Sequence, residues 1–365
     1  MNHPSIESIS NELRYMPLKA PFVTARGRTE TARSVVVEMR ASDGFVGYGA
    51  VTPAPYVTGE TVDDVAASLT EMAEACAGAD VWDHSGLFAR LARDFPNAHA
   101  ARAGLEIAVM DIFGQSIRQP LWRHWGARRT EVVTDLTVPI NTLDEARAIA
   151  AGAAQAGMAH LKIKVDGTDP EASLRRIQVV HEAAPDAGIL VDANQSFTAE
   201  SALAFLAECS RNDLPMSLFE QPVDAKDIEG LVRVAKGSDY PVGADEAVVT
   251  PKNCWEVLSA GGVQVVNVKL MKSGIAGSLE IIRMCQEAGV TLMLGCMVES
   301  HIGIGAAVHL ACGTGAFSYF DLDAPLLLAG DIADGSFELR GDKLIPGERP
   351  GLGARLSAAS ESMRD

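Results

Sequence analysis

The chain has 365 residues, 47% of them hydrophobic, enough apolar material to bury one large core or two moderate ones. Its formal net charge of -17 at pH 7 argues against nucleic-acid and anionic-membrane partners, because both are bound through basic patches that this composition does not supply. The six cysteines (Cys76, Cys209, Cys254, Cys285, Cys296 and Cys312) form no Cys-x-x-Cys pair and no zinc-like spacing. They read as buried, reduced thiols of a cytoplasmic protein, consistent with the absence of a signal-peptide pattern at Met1-Asn2-His3-Pro4. No apolar run approaches the roughly 20 residues that a spanning helix needs.

Alternation over residues 6–18 predicts a strand, and residues 34–40 and 45–48 bracket the turn Ser42-Asp43-Gly44, a hairpin signal. Helical periodicity follows at 61–76, 82–93 and 99–117. An α+β capping domain over residues 1–126 is the simplest account. Residues 24–31, with Arg26 and Arg28, and residues 53–61 read as long loops, where binding groups tend to sit.

Beyond Gly126 the texture changes to short apolar strands, each followed by an Ala-rich helical segment. Strands are expected at 132–138, 160–165, 189–192, 217–220, 242–245, 265–269, 291–296 and 317–321. Strands alternating with helices imply a parallel sheet, and eight of them in about 200 residues imply a closed barrel over residues 127–325. No clear eighth helix follows the last strand. Residues 326–365 are expected to return and pack on the capping domain.

In Leu161-Lys162-Ile163-Lys164-Val165 apolar residues alternate with lysines, which places Lys162 and Lys164 on one face of the second barrel strand. Asp192, Glu220, Asp245 and Lys269 then stand at or just after later strand ends, at steps of 28, 28, 25 and 24 residues from Lys164, near one βα unit each. Functional side chains of such barrels stand at the C-terminal strand ends. Three carboxylates in register there make an oxygen-rich site suited to a hard divalent cation such as Mg²⁺. Glu246 is placed to orient those ligands, Asn194 is a polar contact or a turn residue, and Lys272 is a surface or supporting residue. Lys164 and Lys269, on opposite sides of the barrel, could each serve as a base, since a metal and a neighbouring cation offset the charge created beside a carboxylate when its α-proton leaves.

These residues resemble the muconate-lactonizing-enzyme subgroup of the enolase superfamily. Lys162-Ile163-Lys164 is similar to its Lys-x-Lys base motif, and Val191-Asp192-Ala193-Asn194, Phe219-Glu220-Gln221-Pro222 and Ala244-Asp245-Glu246 to its metal-ligand motifs. Val268-Lys269-Leu270-Met271-Lys272-Ser273-Gly274 is similar to the segment of its opposing lysine. The resemblance implies a modified (β/α)7β barrel, Mg²⁺ and abstraction of a proton α to a carboxylate. Asp321-Leu322-Asp323 is similar to the Asp-x-Asp of dipeptide epimerases, which binds the substrate's α-ammonium group. Gly295-Cys296-Met297-Val298-Glu299-Ser300 is similar to the strand-seven segment that lines the specificity pocket, so that Cys296, Met297 and Glu299 are expected to contact substrate. One departure stands out: where L-Ala-D/L-Glu epimerases carry an arginine for the substrate's glutamate, this chain has Gly27, flanked by Arg26 and Arg28.

The leading expectation is a dipeptide epimerase acting at the C-terminal residue. Its alternatives are an o-succinylbenzoate synthase, an N-acylamino acid racemase or a cycloisomerase using the same lysines, and a barrel that only binds small molecules. A homo-oligomer is expected, as for most soluble enzymes.

Overall fold

The computed structural model describes residues 3–357 and Met363. Met1, Asn2 and most of the segment after Ser357 lie outside the described residues. Strands β1 (Ile6–Thr24), β2 (Gly27–Ala41) and β3 (Val46–Val51) form an antiparallel sheet in chain order. The expected loop at residues 24–31 is instead the tip of a long ribbon, in which β1 and β2 run on to a turn at Ala25 and Arg26. Its residues are exposed or half-exposed on both faces, so no hydrophobic alternation marks them as strand. The tip docks on the barrel: Ile140 N–H donates to Val23 O at 2.8 Å, and Lys19 Nζ donates to Leu326 O at 2.8 Å.

Helices α1 (Pro55–Thr58), α2 (Val62–Cys76), α3 (His84–Asp94), α4 (His99–Ser116) and α5 (Leu121–His124) follow. The Thr61 hydroxyl and Asp64 form a reciprocal capping box at the start of α2. Helix α4 is buried around most of its surface and lies so close to β3 that a Cβ on Gly49 would fall 1.9 Å from Gly104 O; only glycine permits this approach.

The single strand expected at residues 132–138 is two, β4 (Val132–Val133) and β5 (Leu136–Val138). The chain changes sheet between them. The barrel then runs α6 (Leu143–Gln155), β6 (His160–Lys164), α7 (Pro170–Ala183), β7 (Gly188–Asp192), α8 (Ala199–Arg211), β8 (Leu218–Glu220), α9 (Ile228–Gly237), β9 (Val242–Ala244), α10 (Pro251–Ala260), β10 (Val265–Val268), α11 (Leu270–Ala288), β11 (Thr291–Gly295), α12 (His301–Thr314) and β12 (Tyr319–Asp321). Strands β5 to β12 lie parallel and in order, with seven helices between them, which is the (β/α)7β arrangement. A single turn, α13 (Ala324–Leu327), stands where an eighth helix would be. The first and last strands are joined by bonds just outside their ladders: Asp135 N–H to Phe320 O at 3.1 Å, and Leu322 N–H to Thr134 Oγ1 at 2.8 Å. Leu190, Leu218, Val265 and Met293 form a small apolar cluster of their own, each from a different barrel strand.

In the tail, β13 (Ala333–Asp334), β14 (Phe337–Arg340), β15 (Lys343–Pro346) and β16 (Arg355–Leu356) make two small sheets, and β15 pairs with β4. The tail therefore touches two partners. Its strands lie against β4 and α12, while Leu352 N–H reaches back to the Asp111 carboxylate of α4 at 2.8 Å. All six cysteines are free and buried. Among the described residues no helix is long and apolar enough to cross a membrane.

Candidate active site

The alternation in β6 turns Lys162 and Lys164 into the barrel, where they are 0% and 7% exposed. Their partners come from neighbouring strand ends. Lys162 Nζ lies 2.6 Å from Asp321, 2.7 Å from Glu220 and 3.1 Å from Asp192. Lys164 Nζ lies 2.6 Å from Asp192. Lys269, the residue before α11, lies 2.8 Å from Asp245. Since β6 and β10 are four strands apart in a ring of eight, Lys164 and Lys269 face each other across the barrel.

Lys272 is not on the surface. It is completely buried and donates to Asp245 Oδ1 at 2.7 Å, Asp245 O at 2.6 Å and Asn267 O at 2.8 Å. The first turn of α11 aims it back under the strand ends, which is the supporting place and not the surface one of the two that the sequence leaves open. Lys272→Met should lower unfolding stability by roughly 3 kcal/mol, because it leaves buried acceptors without their cation; denaturant unfolding measures it.

Further side chains hold the carboxylates in place. Asn194 donates from its backbone N–H to Asp192 at 2.9 Å and from its amide to Glu246 at 3.3 Å. Its φ of 40° is one that asparagine tolerates better than most residues. Two residues not anticipated from the sequence do similar work: Asn267 donates to Glu220 at 2.6 Å, and Gln221 accepts from Asp245 N–H at 2.8 Å. Asn267 sits two residues before Lys269 on the same inward face, the signal that would have found it.

Seven buried carboxyl groups (Asp135, Asp192, Glu220, Asp245, Glu246, Asp321 and Asp323) outnumber four buried lysines in this layer. Burial opposes the charge on Lys162 and Lys269, yet the carboxylates around them outweigh it and hold both ammonium groups well above the ordinary lysine range. In the protein alone the shift is thus opposite to what a lysine base needs, and a further cation drawing on the same carboxylates would relieve it. Burial also opposes ionisation of Asp192 and Asp245, but Lys164 and Lys162 hold the first, and Lys269 and Lys272 the second, below the usual carboxylate range. Burial raises Glu246 and Glu299 to about 7, and burial with Asp321 raises Asp323 to about 6.

The donor set fits a hard cation. Glu220 Oε2 and Asp245 Oδ2 have ammonium neighbours at 2.7 and 2.8 Å but no hydrogen bond of proper geometry, and Glu246 Oε2 and Asn194 Oδ1 are buried with no partner at all. A second acidic group, Asp135 with Asp321 and Asp323, brings its oxygens within 4.8 Å of one another on the seam side of the barrel.

Above this layer lies a cavity of about 320 Å³, the size of a small-molecule site. Lys164, Lys269, Asp245, Glu246, Asn194, Asp321 and Asp323 form its floor, and the ribbon tip and Tyr56 of α1 form its cover. Arg26, Arg28, Cys296 and Met297 line it, whereas Lys162, Asp192 and Glu220 are not among its lining residues and lie beneath it. Arg26 donates to Asn194 O at 2.9 Å, while Arg28 is paired with Glu30 at 2.8 Å. Glu299 is not among the lining residues: its carboxylate turns back to accept Met297 N–H at 3.0 Å. Tyr56 and Thr137 line the cavity without having been anticipated, as each stands alone in its segment with no charge to mark it.

A capped parallel barrel with facing lysines and a layer of carboxylates at its strand ends defines a class of barrel that works at its mouth. The chain belongs to the mandelate racemase/muconate lactonizing enzyme family of the enolase superfamily: residues 10–126 match the profile described as mandelate racemase / muconate lactonizing enzyme, N-terminal domain, and residues 144–360 the one described as enolase C-terminal domain-like. It is 35% identical over 353 residues to an aromatic dipeptide epimerase of Herpetosiphon aurantiacus, covering 97% of this chain and 99% of the relative. An L-Ala-D/L-Glu epimerase of Bacillus subtilis is 33% identical over 341 residues, 93% of each chain. Among solved structures, a dipeptide epimerase of Enterococcus faecalis V583 complexed with Mg and L-Leu-L-Tyr superposes with a TM-score of 0.92 at 33% identity, covering 96% of this chain and 99% of that one.

Proposed function

We propose that the chain is a Mg²⁺-dependent isomerase that epimerises a dipeptide at its C-terminal residue. The observation that carries this reading is the convergence, on one cavity, of two facing lysines and the paired carboxylates Asp321 and Asp323. The related epimerases support the same substrate class.

Asp192, Glu220 and Asp245 would hold Mg²⁺, which supplies positive charge against the substrate carboxylate as that group becomes dianionic. Lys164 or Lys269 removes the α-proton and the lysine opposite returns one to the other face, giving inversion. Lys162, buried among Asp192, Glu220 and Asp321, adds a fixed cation beneath the reacting carbon. Asp321 and Asp323 bind the α-ammonium group and so fix which carbon faces the lysines. The ribbon tip and Tyr56 keep water from the floor of the cavity. Of the two arginines at the ribbon tip, Arg26 has no acidic partner among the described residues while Arg28 is paired with Glu30, so Arg26 is placed to meet an acidic second side chain.

Asp323→Asn distinguishes this reading from a lyase or an N-acylamino acid racemase. For a free-amine dipeptide the variant should lose about 2 kcal/mol of transition-state binding, roughly thirtyfold in kcat/KM. An enzyme with no ammonium to bind would keep nearly all its activity on its own acid substrate.

A further inference from the structure

One carboxyl group behind the ammonium site has no task so far. Asp135 stands where the barrel closes, its backbone N–H on Phe320 O at 3.1 Å, and Thr137, two residues on, donates its N–H to Asp323 Oδ2 at 2.8 Å. The Asp135 side chain is 0% exposed, and neither of its oxygens receives a hydrogen bond. The charged groups that face it are Asp321, Asp323 and Lys162, and the ammonium of Lys162 is taken up by Asp321, Glu220 and Asp192. Asp135, Asp321 and Asp323 bring oxygens within 4.8 Å of one another. An ionised carboxylate in this place has nothing to accept from and an anion beside it; a neutral acid has an O–H to give and a carboxylate to receive it.

We propose that Asp135 is a positioning residue for the ammonium end of the substrate: as a neutral acid it donates its O–H to Asp321 and holds that carboxylate between Lys162 and the cavity. Asp321 and Asp323 line the cavity and Asp135 does not, so it acts through Asp321. Burial, reinforced by Asp321 and Asp323, pushes its carboxyl well above the ordinary range, in keeping with a neutral acid. The triad then presents two negative charges, which one lysine and one substrate ammonium balance. The proposal rests on the dipeptide reading above.

Two variants of the full-length, Mg²⁺-loaded protein test it. Asp135→Ala should raise KM for a free-amine L,L-dipeptide about tenfold with a smaller change in kcat, because Asp321 loses the donor that aims it. Asp135→Asn, whose amide NH₂ can donate to the same oxygen, should recover most of that loss. Independently of any substrate, the infrared spectrum of the wild type at neutral pH should contain one protonated-carboxyl C=O band that Asp135→Asn lacks. An unchanged carboxyl band in Asp135→Asn overturns the proposal, as does an Asn variant as impaired in KM as the Ala variant, or an Ala variant with the wild-type KM. If Asp135→Ala does not fold, the infrared band and the KM of Asp135→Asn decide, a tenfold rise in the latter counting against. A wild type that turns over no dipeptide would sink the functional reading instead, and the infrared band would still report the state of Asp135.

Discussion

Lys269→Ala is expected to abolish epimerisation, by about a thousandfold or more, while leaving exchange of the α-proton from one epimer in place. General acid–base groups contribute typically 10²–10⁴-fold, and inversion needs two of them, one for each face of the carbon. With Lys269 gone, Lys164 can still remove a proton from the epimer that points at it and return one to the same face. The mirror variant, Lys164→Ala, should exchange the other epimer only. Chiral chromatography together with proton NMR in D₂O separates inversion from exchange. Equal loss of exchange from both epimers in both variants would mean that the two lysines do not divide the faces between them. This expectation comes from the barrel's geometry, since β6 and β10 are half a ring apart and both ammonium groups line the same cavity.

Removing the metal should have an effect as large. A chelator should eliminate turnover and added Mg²⁺ should restore it, because the excess of buried carboxylates over lysines holds Lys164 and Lys269 as ammonium groups, above the ordinary lysine range, where neither can act as a base. Glu220→Gln should weaken Mg²⁺ binding by at least about a hundredfold, since losing a ligand costs no less than losing a residue that orients one. Asn267→Ala should weaken it about tenfold, because Asn267 orients Glu220 through a 2.6 Å hydrogen bond. Isothermal titration with Mg²⁺ measures both without reference to turnover. An Asn267→Ala protein with wild-type affinity would show that Glu220 is held by its strand alone.

What the sequence made legible was whatever repeats. Eight strands alternating with helices announce the barrel, and one charged residue per strand end, at nearly even steps, announces the floor of the site. Lys162 and Lys164 were readable because alternation at period two places both on one face, and both point inward. Residues that act singly were not readable. Asp135 carries no pattern of its own; it matters because the barrel seam brings Phe320 and Asp321 beside it. For Lys272 the sequence leaves surface and support open, since its place depends on how α11 enters, and the structure gives support of Asp245; Glu299 is expected to contact substrate, but a local bond to Met297 N–H turns it away. The ribbon tip at residues 24–31 reads as loop because a strand wet on both faces has no hydrophobic period, yet its docking on the barrel is what makes the mouth a cavity.

The measurement that bears most directly on the proposed reaction is deuterium incorporation from D₂O, read by mass spectrometry, with Mg²⁺ and L,L-dipeptides whose second residue is acidic, basic or apolar. One deuterium at the C-terminal α-carbon, accompanied by inversion there, is the expected result, and a preference for an acidic second residue that Arg26→Ala abolishes would assign its recognition to Arg26. No incorporation into any of these dipeptides, by protein shown to bind Mg²⁺, would contradict dipeptide epimerisation.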